Sequence, residues 1–212
     1  MDNVNVAACK DRGPPIIHTP ILVGTEPADV ATAYAIAHAR QLSVIDRGAR
    51  ADSWPKPAEI TLPGRTVGVL GLGDTGRNTV RRLWALGLKV MAYDPGVEGG
   101  TGIPGLEPAA WSAEVERLDF LIFACALSRH NFHMFDAALI AVLQSGQVHS
   151  AALDGFEAET LPIDGRLRSM DRYIFGTHKG SNTVDAVLRA SHEGIDRLVG
   201  FLEARPVVAQ AV

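Results

Sequence analysis

The chain has few cysteines, no long apolar run and no excess of basic residues. Its 212 residues include only 2 cysteines, which lie far apart, so neither a disulfide scaffold nor a cysteine-based metal site is expected. The longest nearly continuous apolar stretch, about residues 118–127, is too short to span a bilayer. A net charge of −4 and a pI near 6.0 do not favour nucleic acid or an anionic membrane as a partner.

The low cysteine content predicts that the protein works in the reducing environment of the cytoplasm. The charge and the lack of a long apolar run predict no nucleic-acid or membrane partner. The first ten residues lack a basic segment followed by an apolar one, so no secretory signal is predicted. Hydrophobic residues make up 47% of the chain and charged residues 21%, which is typical of a globule that buries a core. The length suits one large domain, or one domain and a piece of another.

Residues 64–95 are the most informative segment. A short apolar run leads into the sequence Gly-Leu-Gly-Asp-Thr-Gly, which begins at Gly71 and ends at Gly76. A helical stretch follows and stops at Gly87, and a second apolar run ends at Asp94. Strand, glycine turn, helix, strand and acid together form the dinucleotide-binding fingerprint. The alternative is a glycine-rich turn that only packs.

Each residue of this fingerprint has a physical reason. Gly71 permits a tight turn, Gly73 lets the backbone approach a pyrophosphate, and Gly76 lets the helix pack against the strand. Asp94 can accept hydrogen bonds from the ribose hydroxyls, whereas a 2′-phosphate would meet its charge. The sequence therefore predicts NAD rather than NADP as the cofactor.

Apolar patterning places further elements along the chain. We expect helices at 4–12, 25–40 (capped by Thr25), 111–118, 135–144 and 182–204. We expect strands at 15–18, 119–126, 147–153 and 173–177. A linking segment is predicted at 43–63 and a loop at 96–110. Alternating strands and helices predict an α/β, doubly wound parallel sheet. Ligands bind beyond the carboxyl ends of such strands, where we expect Asp94, Cys125, Asp154 and His178 to lie.

Four stretches together resemble the D-isomer-specific 2-hydroxyacid dehydrogenases, the family of phosphoglycerate dehydrogenase and hydroxypyruvate reductase. They read VNVAACKDRGPPIIHTP, GRTVGVLGLGDTG, QSGQVHSAALDGFEAETLP and IFGTHKGSNTVDAVLRASHEGIDRLVGFLEARP. The resemblance implies a Rossmann NAD-binding domain over residues 20–181. It also implies that residues 1–19 and 182–212 are remnants of a substrate domain.

The resemblance also implies roles for individual residues. His178 matches the family's general acid/base, and Glu159 matches the carboxylate that orients it. A carboxylate partner favours the protonated imidazole and fixes its tautomer. The implied cofactor-binding residues are Gly71, Gly73, Asp74, Thr75, Gly76, Asp94, Cys125, Asp154 and Gly180.

Two departures from the family pattern stand out. The segment expected to carry the family's catalytic arginine, between the strands near 119 and 147, is missing, and so is most of the substrate domain. One helix can still connect those two strands in a right-handed crossover. Arg129 is a candidate replacement for the arginine, but a solvated loop arginine is the favoured interpretation of this residue. His130 and His133 have no third ligand nearby, so no metal site is predicted.

Three interpretations follow. The first is an NAD-dependent oxidoreductase that transfers hydride between NAD(H) and a small 2-hydroxy or 2-oxo acid such as 3-phosphoglycerate or hydroxypyruvate. The second is an NAD-binding and dimerisation module without turnover, which forms a homodimer through residues 25–60, including Trp54. The third is a truncated gene product.

Overall fold

The structure is a computed structural model that describes residues 6–12, 16, 19, 24–94, 96–97, 100–106, 108–109, 117–125, 150–153 and 173–204. Its helices are α1 (Val6–Arg12), α2 (Thr25–Ala39), α3 (Leu42–Arg50), α4 (Asp74–Ala85) and α5 (Val184–Glu203). Its strands are β1 (Thr66–Leu70), β2 (Lys89–Tyr93), β3 (Phe120–Phe123), β4 (Ser150–Leu153) and β5 (Tyr173–Phe175). The chain divides into unit 1, residues 1–22 and 183–212, and unit 2, residues 23–182.

The five strands form one parallel sheet in the order β2-β1-β3-β4-β5. Leu70 pairs with both Tyr93 and Phe123, and Leu153 pairs with Phe175, so the carboxyl ends of the strands share one edge. This confirms the predicted doubly wound fold and the strands expected near 119, 147 and 173. β3 and β4 are parallel neighbours, as the sequence predicted.

Helices α2 and α4 pack against each other along the sheet of unit 2. α4 lies against β1 and β2, and α2 lies against β4 and β5. Arg82 Nε of α4 and Asp29 Oδ1 of α2 form an ion pair at 2.7 Å. The buried core beneath them contains mainly aliphatic side chains from α2, α4, the first three strands and the connecting segments: Ala35, Ala39, Val67, Val69, Leu72, Val80, Leu83, Leu88, Ala92, Ile103, Leu106, Phe120 and Ile122.

Two local predictions were wrong. Thr25 does not cap α2: Gly24 occupies the N-cap position without a side-chain hydrogen bond, and Thr25 is the first helical residue. The predicted linking segment at 43–63 contains most of α3, because the breakers that suggested a linker do not interrupt this helix. A Cβ on Gly48 would lie 2.4 Å from Pro55 Cγ, so the glycine permits the returning chain to approach.

An exposed ion pair supports α3. Arg50 Nε donates to Asp46 Oδ2 at 2.9 Å, one helical turn away, and this hydrogen bond lowers the pKa of the Asp46 carboxyl below its ordinary value. The chain then turns back toward α2, where Ile60 N–H donates to Ala39 O at 2.9 Å. This part of unit 2 leaves Trp54 83% exposed.

Unit 1 contains α1 and α5. The α5 helix begins after Thr183, whose Oγ1 accepts a hydrogen bond from Ala186 N–H at 3.1 Å. One set of large apolar side chains on α5 is exposed: Val184, Val187, Leu188, Ile195, Leu198, Val199 and Leu202. None of the helices that the structure describes is long and apolar enough to cross a membrane.

Some predictions fall outside the described residues. The helix expected at 135–144 does so entirely, as do most of the helix at 111–118 and most of the strand at 15–18. Ile16 is described and lies in no strand. The loop expected at 96–110 has no helix or strand at its described positions, apart from one isolated bridge between Pro108 and Ala92.

Candidate functional site

The glycine turn lies where the sheet order reverses direction. Gly71 N–H donates to Tyr93 O of β2 at 2.7 Å, and Ala124 N–H donates to Leu70 O of β1 at 2.7 Å. The turn therefore leaves β1 between its two neighbours, β2 and β3. In doubly wound sheets this switch point, beyond the carboxyl ends of the strands, is where ligands bind.

The three motif glycines have three different environments. Gly71 has φ +94°, and a Cβ there would lie 2.8 Å from Cys125 N, so this position requires a turn and a close approach. A Cβ on Gly76 would lie 1.9 Å from Gly71 O. Gly73 is exposed, with an ordinary φ of −65°, and a Cβ there would meet no atom of the described residues within 4 Å.

The open space beside Gly73 bears on whether the turn fits a dinucleotide. Packing among the residues that the structure describes explains Gly71 and Gly76, but it does not explain a glycine at position 73. A backbone that a pyrophosphate must approach closely does explain it. The site therefore fits the cofactor that the fingerprint predicts.

Helix α4 begins directly at this turn. Its first hydrogen bond runs from Arg77 N–H to Gly73 O at 3.0 Å. The first N–H groups of an α-helix have no acceptor within the helix, and its dipole makes this end positive. Asp74 and Thr75, which the sequence assigned to the pyrophosphate, are the first two residues of α4. The start of α4 can therefore offer backbone donors to phosphate oxygens.

Asp94 connects the turn to the end of β2. Its Oδ2 accepts from Leu72 N–H at 2.6 Å, and its Oδ1 accepts from Gly96 N–H at 2.8 Å. The carboxylate is half-buried and is the first group after β2. It thus lies beside the glycine turn, where the fingerprint requires an acid for the ribose.

His178 follows β5 on the same edge of the sheet. It is exposed, and its φ of +57° is in the left-handed region, which is uncommon for residues other than glycine although Asn, Asp and His adopt it more often than the rest. Strained conformations of this kind cluster at functional sites. The sheet order places three strand spacings, or about 14 Å, between β1 and β5. A dinucleotide that starts at the glycine turn can extend along this edge toward the histidine.

The other predicted site residues have mixed outcomes. Cys125 is half-buried against Gly71, and Gly180 is buried two positions after His178. Asp154 and Glu159 lie outside the described residues, as do the other side chains considered for catalysis or metal binding: Arg129, His130 and His133. The roles of all these residues remain predictions.

Two residues next to the turn were not predicted from the sequence. Arg77 Nη1 donates to Thr101 O at 2.6 Å, which ties the loop after β2 to the first turn of α4. Its position directly after the motif is a signal that could have found it. Gly24 lies against Asp74, and no local pattern predicts this contact.

Comparisons with known proteins agree with this site. Residues 32–138 match the family described as "D-isomer specific 2-hydroxyacid dehydrogenase, NAD binding domain". A hydroxypyruvate reductase of Thermotoga maritima is 26% identical over 93% of this chain and 73% of its own length. A glyoxylate reductase of Thermofilum pendens is 25% identical over 95% of this chain and 69% of its own length.

A solved 2-hydroxyacid dehydrogenase from Ketogulonicigenium vulgare Y25 has a similar fold. It superposes with a TM-score of 0.80 at 26% identity, over 100% of this chain and 74% of that protein. The matched family segment covers half of this chain and contains the glycine turn and Asp94. The chain belongs to the D-isomer-specific 2-hydroxyacid dehydrogenase family and carries its NAD-binding domain.

Proposed function

We propose that the protein is an NAD-dependent oxidoreductase that transfers hydride between NAD(H) and a small 2-hydroxy or 2-oxo acid. Hydroxypyruvate and 3-phosphoglycerate are the leading substrates, because relatives are named hydroxypyruvate reductase and D-3-phosphoglycerate dehydrogenase. The observation that carries the proposal is the shared strand edge. It places the glycine turn and Asp94 on the same edge as a histidine in the left-handed conformation.

The roles that we propose for this chain's residues combine that edge with the family resemblance. The start of α4 would hold the pyrophosphate, and Asp94 would hold the ribose. His178 would donate a proton to the carbonyl oxygen of the 2-oxo acid, with Glu159 orienting the imidazole. The bound cofactor supplies the hydride. We assign the cofactor domain to residues 20–181 and propose that residues 1–19 and 182–212 belong to a second, substrate-side domain.

Turnover tests this proposal directly. Purified protein with NADH should lose NADH absorbance when hydroxypyruvate, phosphohydroxypyruvate or glyoxylate is added. Folded protein that binds NADH but oxidises none of it with the three acids would contradict the proposal.

A second candidate is an NAD-binding homodimer without turnover. The exposed Trp54, and Leu42 at 49% exposure, favour it because both belong to the segment 25–60 that is expected to form the dimer, and exposed apolar side chains mark interfaces when they cluster. Light scattering distinguishes the two candidates when it is combined with the NADH assay. A dimer that binds NADH without oxidising it supports the module, and a monomer excludes it. With either candidate we propose a cytoplasmic location, consistent with the free cysteines Cys9 and Cys125.

A further inference from the structure

Gly24 lies against the cofactor turn although it is far from the turn in sequence. A Cβ on Gly24 would lie 2.0 Å from Asp74 Oδ2, 2.4 Å from its Cγ and 2.8 Å from its backbone carbonyl carbon. Real Cβ atoms do not approach other atoms this closely. The N-cap position of α2 is therefore open only to glycine while Asp74 keeps its place.

Asp74 has little freedom to move away. Asn78 Nδ2 donates both to its Oδ1 at 3.1 Å and to its backbone oxygen at 3.0 Å. Its own backbone forms the start of α4, where the unpaired helical N–H groups lie. A side chain on Gly24 would consequently push on the group that begins the phosphate-binding helix.

The same contact has an electrostatic consequence. Asp74 contributes a negative charge to a turn that must accept a pyrophosphate, and like charges repel. The amino end of α2 is the positive end of a helix dipole, and its N-cap residue lies against this carboxylate. The close packing of Gly24 thus places the positive end of the α2 dipole beside Asp74, although the first turn of α2 also carries the acidic Glu26.

We propose that Gly24 is a positioning residue of the NAD(H) site: by admitting the amino end of α2 against Asp74, it fixes the start of α4 for pyrophosphate binding. This inference rests on the proposed function. It adds a third segment, residues 24–25, to the two segments that the fingerprint supplies. The α2 helix then acts as a support for the cofactor turn in addition to its place in the core.

The test is the NADH dissociation constant of Gly24→Ala, measured by calorimetry below the melting temperature. We expect the NADH dissociation constant to rise about tenfold or more, because misplacing a binding group by about 1 Å has effects of this size or larger. Gly48→Ala is the matched control. Its Cβ would also clash, 2.4 Å from Pro55 Cγ, but away from the turn, so its NADH affinity should match that of the wild type.

A second variant tests the contact itself. Asp74→Ala removes the two atoms nearest to the position of the Gly24 Cβ. The Gly24→Ala change should therefore weaken NADH binding much less in the Asp74→Ala background than in the wild type. An equal effect in both backgrounds would show that Gly24 does not act through the Asp74 side chain.

Hydrogen exchange of the wild type keeps the inference testable if Gly24→Ala does not fold. NADH should slow amide exchange in the first turns of α2, at residues 24–32, as well as in the glycine turn. Unchanged exchange in α2 with a protected turn would overturn the inference, and so would wild-type affinity in folded Gly24→Ala. These outcomes are distinct from failure of the proposed function, which shows as normal NADH binding without turnover.

Discussion

The backbone N–H of Leu72 donates a hydrogen bond to Asp94 Oδ2 over 2.6 Å. Leu72 lies inside the glycine turn, and Asp94 is the first residue after the neighbouring strand. The acid that is predicted to hold the ribose therefore also holds the turn that is predicted to hold the pyrophosphate. A change at Asp94 should consequently affect both the shape of the turn and the choice of cofactor.

Asp94→Asn should weaken NADH binding by about tenfold to a hundredfold, because a hydrogen bond to a charged group contributes about 1.5–3 kcal/mol. NADPH binding should change less, since a 2′-phosphate no longer meets a negative charge. Calorimetric titration with both cofactors measures the ratio. Asp196→Asn, an exposed acid on α5, is the charge-matched control. An unchanged NADH-to-NADPH ratio would contradict the assignment of Asp94.

Gly76→Ala should destabilise the fold. Its Cβ would lie 1.9 Å from the backbone oxygen of Gly71, which cannot swing aside as a flexible side chain can. Overpacking typically lowers the free energy of unfolding by about 1–3 kcal/mol, and a contact this close should reach the upper end of that range or exceed it. Urea denaturation measures the loss. Gly200→Ala, with open space in a helix, should keep or raise stability, and equal midpoints for both variants would argue against the packing role of Gly76.

Arg77→Met should loosen the loop after β2. The variant loses the 2.6 Å hydrogen bond to Thr101 O, so amide exchange at residues 100–106 should accelerate and NADH affinity should fall. Arg81→Met, an exposed arginine on the same helix, removes the same charge without this bond. If both variants behave alike, Arg77 acts through its charge and not through the loop.

His178→Asn should abolish most turnover and leave NADH binding intact. Asparagine adopts the left-handed conformation readily, so the backbone at φ +57° is retained while the proton donor is lost. Loss of a general acid lowers the rate by about 10²–10⁴-fold. Steady-state NADH oxidation measures it, with His192→Asn on α5 as the control. Turnover by His178→Asn equal to that of the control would exclude the histidine from the chemistry.

The parts of the site that local sequence determines were predictable. The glycine turn, its flanking strands and the acid at Asp94 lie within one βαβ segment, where periodicity and glycine spacing carry the signal. The contact between Gly24 and Asp74 was not predictable, because it depends on how α2 packs against α4. The left-handed backbone of His178 also had no signal, since nothing in its residue type requires a positive φ.

Helix α3 shows how a local sequence signal can mislead. Gly48 and the following prolines suggested a linker, but the glycine serves close packing against Pro55 and the prolines come after the helix ends. A residue type that usually breaks a helix was tolerated because a tertiary contact needed it. The same distinction, between glycines that packing requires and glycines that it does not, isolates Gly73 as the residue of the turn that points to a ligand.

The most direct test of the NAD site is therefore a calorimetric NADH titration of the wild type beside Gly73→Ala. A Cβ at this position meets no atom within 4 Å in the part of the chain that the structure describes, and φ is −65°, so the variant should fold with nearly wild-type stability. We predict saturable NADH binding by the wild type and its loss in folded Gly73→Ala. Equal NADH affinity for the two proteins would contradict pyrophosphate binding at this turn.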